Sequence, residues 1–407
     1  MTASRAVELE LRQQAPRALA ALVRRHGDFD RCEDAVQEAL VEAHLAWREI
    51  PERPFGWLLT VAERRFVDSV RSDSARTRRE GRHAALASPP PAPPEGGGDD
   101  TLDLLLLCCH PSLPAASQVA LALRAVVGLT TAEIARALLI SESALAQRIV
   151  RAKARLRGVP FGEPPAVEPG PRLAAVLRVL YLIFTEGHVA SGGRDLVRDD
   201  LATEALRLIR RVHVALPGDG EVQSLLALML LTVARRTSRV TADGALVPLP
   251  EQNREHWDAA MIAEGTALVE DALASGPAGP YGLQAAIAAL HAEAPDAAST
   301  DWPQILALYD LLMGLDPNPV VALNRAVALG EVEGPQAGLA ALTDLDGELR
   351  HGDRHRLHAV RGYLLARTGD ACEAARAYER AAGDAPTPAE RRHLVARAAE
   401  HGALAGS

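Results

Sequence analysis

Between Leu129 and Arg155 the chain reads LTTAEIARALLISESALAQRIVRAKAR. This stretch constrains the fold more than any other, because two short helices around a tight turn satisfy it best. Thr131 stands where a first helix would be capped, and Ile134, Ala135 and Leu138 recur at the spacing of one buried helix face. Ser141 is placed to cap a second helix in which Leu145 and Ile149 lie one turn apart. Small Ala135 lets the two helices cross closely. The second helix then turns Glu142, Ser143, Gln147, Arg148 and Arg151 outward. Lys153, Arg155 and Arg157 follow, where a helix laid in a DNA groove would run along phosphates. The pattern is that of a helix-turn-helix reading duplex DNA. The plainer alternative is an amphipathic hairpin whose charged face is simply solvated.

The rest of the composition points to helix throughout. Aromatic residues are only 3% of the 407, apolar residues are 48%, and Ala, Leu, Arg and Glu are abundant. No alternating strand pattern flanked by hairpin turns stands out, so the expected class is all-α. A formal net charge of −9 argues against wholesale coating of nucleic acid, yet cations cluster between Arg64 and Arg82 and between Arg148 and Arg157, and local patches matter more than the total. Cys32, Cys108, Cys109 and Cys372 form no CxxC pair, and the N-terminus has no apolar leader. A cytoplasmic protein without membrane partners is expected. The longest apolar run, near Leu225 to Ala234, is too short to span a bilayer.

Two punctuated stretches divide the chain. SPPPAPPEGGGDD, from Ser88 to Asp100, mixes stiff Pro with flexible Gly and reads as a tether. GVPFGEPPAVEPGP, from Gly158 to Pro171, ends the basic helix. The boundaries expected from this punctuation are a helical module at 1–85, a linker at 86–100, a DNA-reading module at 101–158, a linker at 159–171 and a helical region at 172–407.

In the first module, DRCEDAVQEALVEAHLAW places Ala35, Val36, Ala39, Leu40 and Ala43 on one helix face, while Asp34, Glu38 and Glu42 recur at four-residue spacing elsewhere. Such a carboxylate row is either an ordinary solvated face or a docking surface for a basic partner. The next segment, from Arg53 to Glu80, interleaves Phe55, Trp57 and Phe66 with Arg64, Arg65, Arg71, Arg76, Arg78 and Arg79. Aromatics beside cations suit single-stranded DNA, although any one aromatic here also fits a core.

An acidic amphipathic helix, an aromatic-basic helix, a linker and a basic helix-turn-helix, in that order, resemble a bacterial RNA polymerase sigma factor of the extracytoplasmic-function type. The segments DAVQEAL and GWLLTVA, within Asp34 to Arg79, are similar to sigma region two. AEIARALLISESALAQRIVRAK, within Leu113 to Arg157, is similar to region four. DDTLDLLLLCCHPSLP and the tail beginning VLYLIFTEGH resemble a subgroup with a long extension related to tetratricopeptide repeats. The resemblance implies core RNA polymerase as a partner, met by Asp34, Glu38 and Glu42. It also implies promoter DNA in two forms. Trp57, Arg64, Arg65, Arg71, Arg76, Arg78 and Arg79 would hold the opened strand, where stacking returns about 1–3 kcal/mol per base against an unpairing cost of a few. Thr131, Ser141, Glu142, Ser143, Gln147, Arg148, Arg151, Lys153 and Arg155 would serve the duplex. Two tethered modules would bind with linker-enhanced affinity. The chain departs from the family's pattern at Glu63, an added carboxylate beside the expected DNA path, at Leu139 in place of a turn glycine, and at Thr185 and His188.

In the tail, NRAVALGEVEGPQAGLAAL from Asn324 aligns with VRGYLLARTGDACEAARAY from Val360 at an offset of about 35 residues, near the tetratricopeptide period. A helical solenoid is expected, with room for a regulatory protein, and the turn-rich stretch from Arg236 to Asn253 reads as a surface excursion. No catalytic, metal or cofactor signature emerges. Cys108, Cys109 and His110 lack further spaced ligands, and His351, His355 and His358 read as an exposed helical face. An enzyme is not expected. Two other classes fit parts of the chain: a conventional helix-turn-helix regulator with a C-terminal sensor, and a solenoid scaffold that does not bind DNA.

Overall fold

A computed structural model describes residues 3–79, 100–138, 140–161, 169–189, 196–241, 244–347, 349 and 354–405. These residues form eighteen α-helices, and the only β-pairing among them is an isolated bridge between Val240 and Leu246. The chain is all-α. No described helix is long and apolar enough to cross a membrane. The chain divides into two compact units, Met1–Ile183 and Phe184–Ser407.

Unit 1 opens with α1 (Ala3–His26), α2 (Phe29–Ala46) and α3 (Pro54–Arg79). Gly27, at φ +70°, turns the chain between the first two, and Asp28 caps α2 by accepting the Arg31 N–H at 3.2 Å. The three helices close over Leu19, Leu22, Val23, Phe29, Val36, Ala39, Leu58, Ala62 and Phe66. There follow α4 (Thr101–Cys108), α5 (Ala115–Ala125), α6 (Thr131–Ala137) and α7 (Glu142–Leu156). Leu104, Leu121, Leu123, Ile134 and Leu145 from these helices are buried. Then α8 (Pro169–Val189) begins within unit 1, where the Arg172 guanidinium donates to the Leu106 carbonyl at 3.0 Å. Of the expected tethers, residues 86–99 and 162–168 lie outside the described residues. Pro169, Gly170 and Pro171, read from sequence as linker, are already helix, and the compact unit continues to Ile183.

Unit 2 contains α9 (Leu196–Ala215), α10 (Gly220–Val233), α11 (Ala259–Ser275), α12 (Pro280–Glu293), α13 (Trp302–Leu315), α14 (Pro319–Val332), α15 (Pro335–Ala341), α16 (Arg354–Thr368), α17 (Ala371–Asp384) and α18 (Pro388–Ala405). The sequence repeat is realised as two helical hairpins, α14–α15 and α16–α17. Their turns sit on Gly334 (φ +99°) and Gly369 (φ +85°), a backbone region that β-carbons disfavour. Small residues let the paired helices approach. A β-carbon on Gly338 would lie 2.7 Å from the Ala326 carbonyl oxygen and 3.1 Å from the Gly330 α-carbon, whereas one on Gly330 would first meet the movable end of Leu364. Gly338→Ala is therefore expected to destabilise unit 2 by about 1–3 kcal/mol through overpacking, and Gly330→Ala by less. Thermal melting of the two variants checks the order.

One expectation for this unit is refined and another changes. The stretch from Arg236 to Asn253 is tied down at both flanks and at its tip. Thr237 and Ser238 hydroxyls donate to the His256 and Asn253 carbonyls at 2.8 and 2.9 Å, the Leu246 N–H donates to the Ala389 carbonyl at 3.3 Å, and Arg392 donates to the Gly244 carbonyl at 2.5 Å. It is a strap laid on α18. The histidine face of α16 is also not a surface stripe, since His355 is buried; His351 lies outside the described residues.

Candidate nucleic-acid interface

Ser141 caps α7 as the sequence suggests, its hydroxyl accepting the Ala144 N–H at 3.2 Å. The first helix is capped one residue earlier than expected. Thr130 Oγ1 accepts the Glu133 N–H at 3.2 Å while Glu133 accepts the Thr130 N–H at 2.8 Å, a reciprocal capping box, so Thr131 is the first helical residue and not the cap. Burial works against the Glu133 carboxylate, but these bonds and Arg12 of α1, 2.5 Å away, hold its pKa below the ordinary value. Gly128, at φ +77°, lets the turn before α6 approach α1, where a β-carbon would stand 3.4 Å from the Arg12 carbonyl oxygen. Leu139, the other turn position of interest, lies outside the described residues.

Ile134, Ala135, Leu145 and Ile149 are buried, which fixes the outward face of α7. Glu142, Ser143, Gln147, Arg151 and Arg155 are exposed and Arg148 half-exposed. The Arg151 Nε caps back onto the Gln147 carbonyl at 3.2 Å within its own helix. Lys153 lies elsewhere. Its side chain is 9% exposed, and its ammonium sits 2.6 Å from Glu33, 2.9 Å from Asp34 and 3.2 Å from Asp30, all on α2. Arg157 reaches Asp30 at 2.9 Å, and Arg124 of α5 reaches the other side of Glu33 at 3.0 Å. Burial penalises the Lys153 charge, but Glu33 and Asp34 more than compensate and raise its pKa. Burial likewise raises the Asp30 carboxyl, but Arg157 and Lys153 outweigh that and bring it below the ordinary value.

The acidic row of α2 is divided among partners. Asp34 meets Lys153, while Glu42 accepts from Arg64 at 3.1 Å and Arg65 at 2.7 Å, and Glu38 stands 3.7 Å from Arg65. Hydrogen bonding from Arg65, with help from Arg64, lowers the Glu42 pKa. Residues that sequence reading kept apart, Glu38 and Glu42 for polymerase and Arg64 and Arg65 for DNA, thus form one seam between α2 and α3. Trp57 packs edge-on against Trp47, ring centroids 5.3 Å apart, and Phe66 is core, stacked on His26 at 3.9 Å. Glu63 faces α1 instead of a DNA path, bonded to Arg25 at 3.0 Å and His26 at 2.9 Å. Arg71 is exposed; the side chains of Arg76, Arg78 and Arg79 lie outside the described residues.

Sequence reading missed Val41 and Leu45, which are 61% and 80% exposed. With Asp34 and Glu38 they continue one stripe of α2 at positions i, i+4, i+7 and i+11. The signal was available, because neither falls on the alanine-rich face that packs inward.

Family comparisons match the two halves of this layout. Residues 11–76 match the model of Sigma-70 region 2 and residues 103–156 that of Sigma-70, region 4. The chain belongs to the sigma-70 factors. In this sigma factor, residues 172–273 match a further family of unknown function (DUF6596), which begins inside α8 and forms part of the C-terminal extension. An uncharacterized protein of Rhizobium meliloti (strain 1021) is 42% identical to the sigma factor over 407 residues, covering 97% of this chain and 95% of that protein. No solved structure matches it. Sigma-70 regions carry transcription initiation and DNA binding, and the sigma-70 families are not enzyme families.

Proposed function

We propose that this sigma factor docks on core RNA polymerase through α2 and directs initiation by reading duplex promoter DNA with α7. The observation that carries the reading is the exposed stripe Asp34, Glu38, Val41 and Leu45 in the region-two match. Large apolar residues left in water beside carboxylates suit a basic, partly apolar protein surface. On α7, Ser143, Gln147, Arg148 and Arg151 form the outward row that meets base edges and phosphates, and Arg155 lies beyond it along the same helix. Trp57, with the basic end of α3 from Arg71 onward, receives the displaced strand; Arg64 and Arg65 serve mainly to brace Glu42. Unit 2 regulates or supports initiation and offers the surface for a regulatory protein.

Val41→Glu combined with Leu45→Glu tests the docking surface. Both positions are exposed, so the fold should hold, while affinity for purified core polymerase should fall about 10-fold or more if they sit at the centre of the contact. Unchanged affinity with an intact fold would move the contact elsewhere and reopen the conventional-regulator reading.

A further inference from the structure

Unit 2 gathers three arginines around one place that neither polymerase docking nor DNA reading uses. Arg235 and Arg239 stand in the turn that leaves α10, and Arg254 in the turn that leads into α11. The two turns are pinned together, because the Asp258 N–H donates to the Ala234 carbonyl at 2.8 Å and the Thr237 and Ser238 hydroxyls donate to the His256 and Asn253 carbonyls. Arg254 Nη1 donates to the His291 and Ala294 carbonyls at the end of α12, at 2.6 and 2.5 Å. Its guanidinium carbon lies 4.7 Å from the centroid of the Trp257 ring, and the His291 ring stands edge-on to Trp302 at 5.3 Å.

Donors exceed acceptors here. Among the described residues the half-buried Arg235 side chain has no hydrogen bond and no carboxylate partner. The charges acting on it are those of Arg239 and Arg254, both positive, and only Tyr309 favours its cation. Burial, then the two arginines, bring its pKa down to about 10, so it is charged at neutral pH. Glu390 supports the charge of Arg239 and Asp296 that of Arg254, but neither acts on Arg235. His291 brings no counter-charge: burial, Arg235 and Arg254 lower its pKa to about 4. Trp257 is more than nine-tenths buried, and its indole N–H has no acceptor among the described residues. A cation and a donor held out of water in this way are costly until something supplies the acceptor.

We propose that this place is a binding site for a small oxyanion, with the Arg235 guanidinium as its charged donor and the Trp257 indole N–H as a second. The ligand class is a phosphate or carboxylate group on a small molecule, since the guanidinium fork matches two oxygens of either. Arg235 keeps part of its surface in solvent, which gives such an ion a way in. Arg235, Arg239, Arg254 and Trp257 all fall within residues 172–273, so the site gives the stretch matched to a family of unknown function a chemistry of its own, independent of polymerase and DNA.

The test titrates the full chain by calorimetry with inorganic phosphate and, separately, with succinate, at neutral pH and constant ionic strength. Saturable binding at one site per chain is expected for at least one of the two, and the tighter arm assigns the ligand to phosphate or carboxylate. Arg235→Gln should weaken that binding at least about tenfold, and Trp257→Phe, which deletes the indole N–H, about threefold or more. Arg236→Gln, at the exposed neighbouring position, should change nothing. Without ligand, Arg235→Gln should melt no lower than the wild type, because it removes a cation that nothing compensates; an arginine with a purely structural role would lower the transition. Binding of neither ion by the wild type, undiminished binding by either Arg235→Gln or Trp257→Phe, or a clear drop in the ligand-free melting of Arg235→Gln would each overturn the site.

Discussion

Lys153→Ala should cost unit 1 about 3 kcal/mol of stability, a large loss for one exposed-looking lysine in a basic helix. Breaking one side of a buried ion pair leaves the partner charge desolvated, which costs about 3–5 kcal/mol. Arg124 still faces Glu33, so the lower end applies. For a unit of this size the transition should move down by roughly 6–12 °C. Arg155→Ala, at an exposed position on the same helix, should shift stability by less than about 0.5 kcal/mol. The pH response follows from Asp30. Its folded pKa lies below the ordinary 3.8, so its contribution is fully present above that value and is lost as pH falls through the folded value. Acid melting of the wild type should therefore be steeper below pH 3.8 than that of Asp30→Asn. Equal melting of wild type and Lys153→Ala would mean that the carboxylate cluster is satisfied without the lysine.

The second large effect concerns promoter use. Arg148→Glu with Arg151→Glu should reduce chain-dependent initiation by at least about 30-fold, because each good contact to a base edge is worth about 1–3 kcal/mol and reversal adds repulsion from phosphates. Core affinity should not fall, since neither residue lies on the α2 stripe. Filter binding or fluorescence anisotropy with core polymerase, run beside transcription, separates the two. Equal loss of both activities would mean that α7 is not the recognition helix.

What was legible in the sequence was local. The caps and buried positions of α6 and α7 follow from spacing over a few residues, and even the one-residue error at Thr131 was avoidable, because Thr130 and Glu133 spell a capping box. The turns at Gly334 and Gly369 were legible as a repeat because a glycine at positive φ joins the two helices of both hairpins. The fate of Lys153 was not legible. A lysine in a basic helix reads as a phosphate contact, and its partner Asp34 lies 119 positions away; only the packing of α7 on α2 brings them together. Glu63 failed for a related reason. Its neighbours in sequence are cations of α3, but the helix phase turns it toward Arg25 and His26 of α1. The anchoring of the strap from Arg236 to Asn253 was not legible, because Ala389 and Arg392 belong to the last helix of the chain.

The most direct measurement of the central claim is transcription by purified core RNA polymerase on a fragment library of the genome that encodes this chain, with RNA 5′ ends sequenced in the presence and absence of the full-length protein. The account predicts a set of start sites that require the protein, share an upstream duplex element, and disappear with Arg148→Glu and Arg151→Glu. No protein-dependent start site anywhere in the library would contradict it.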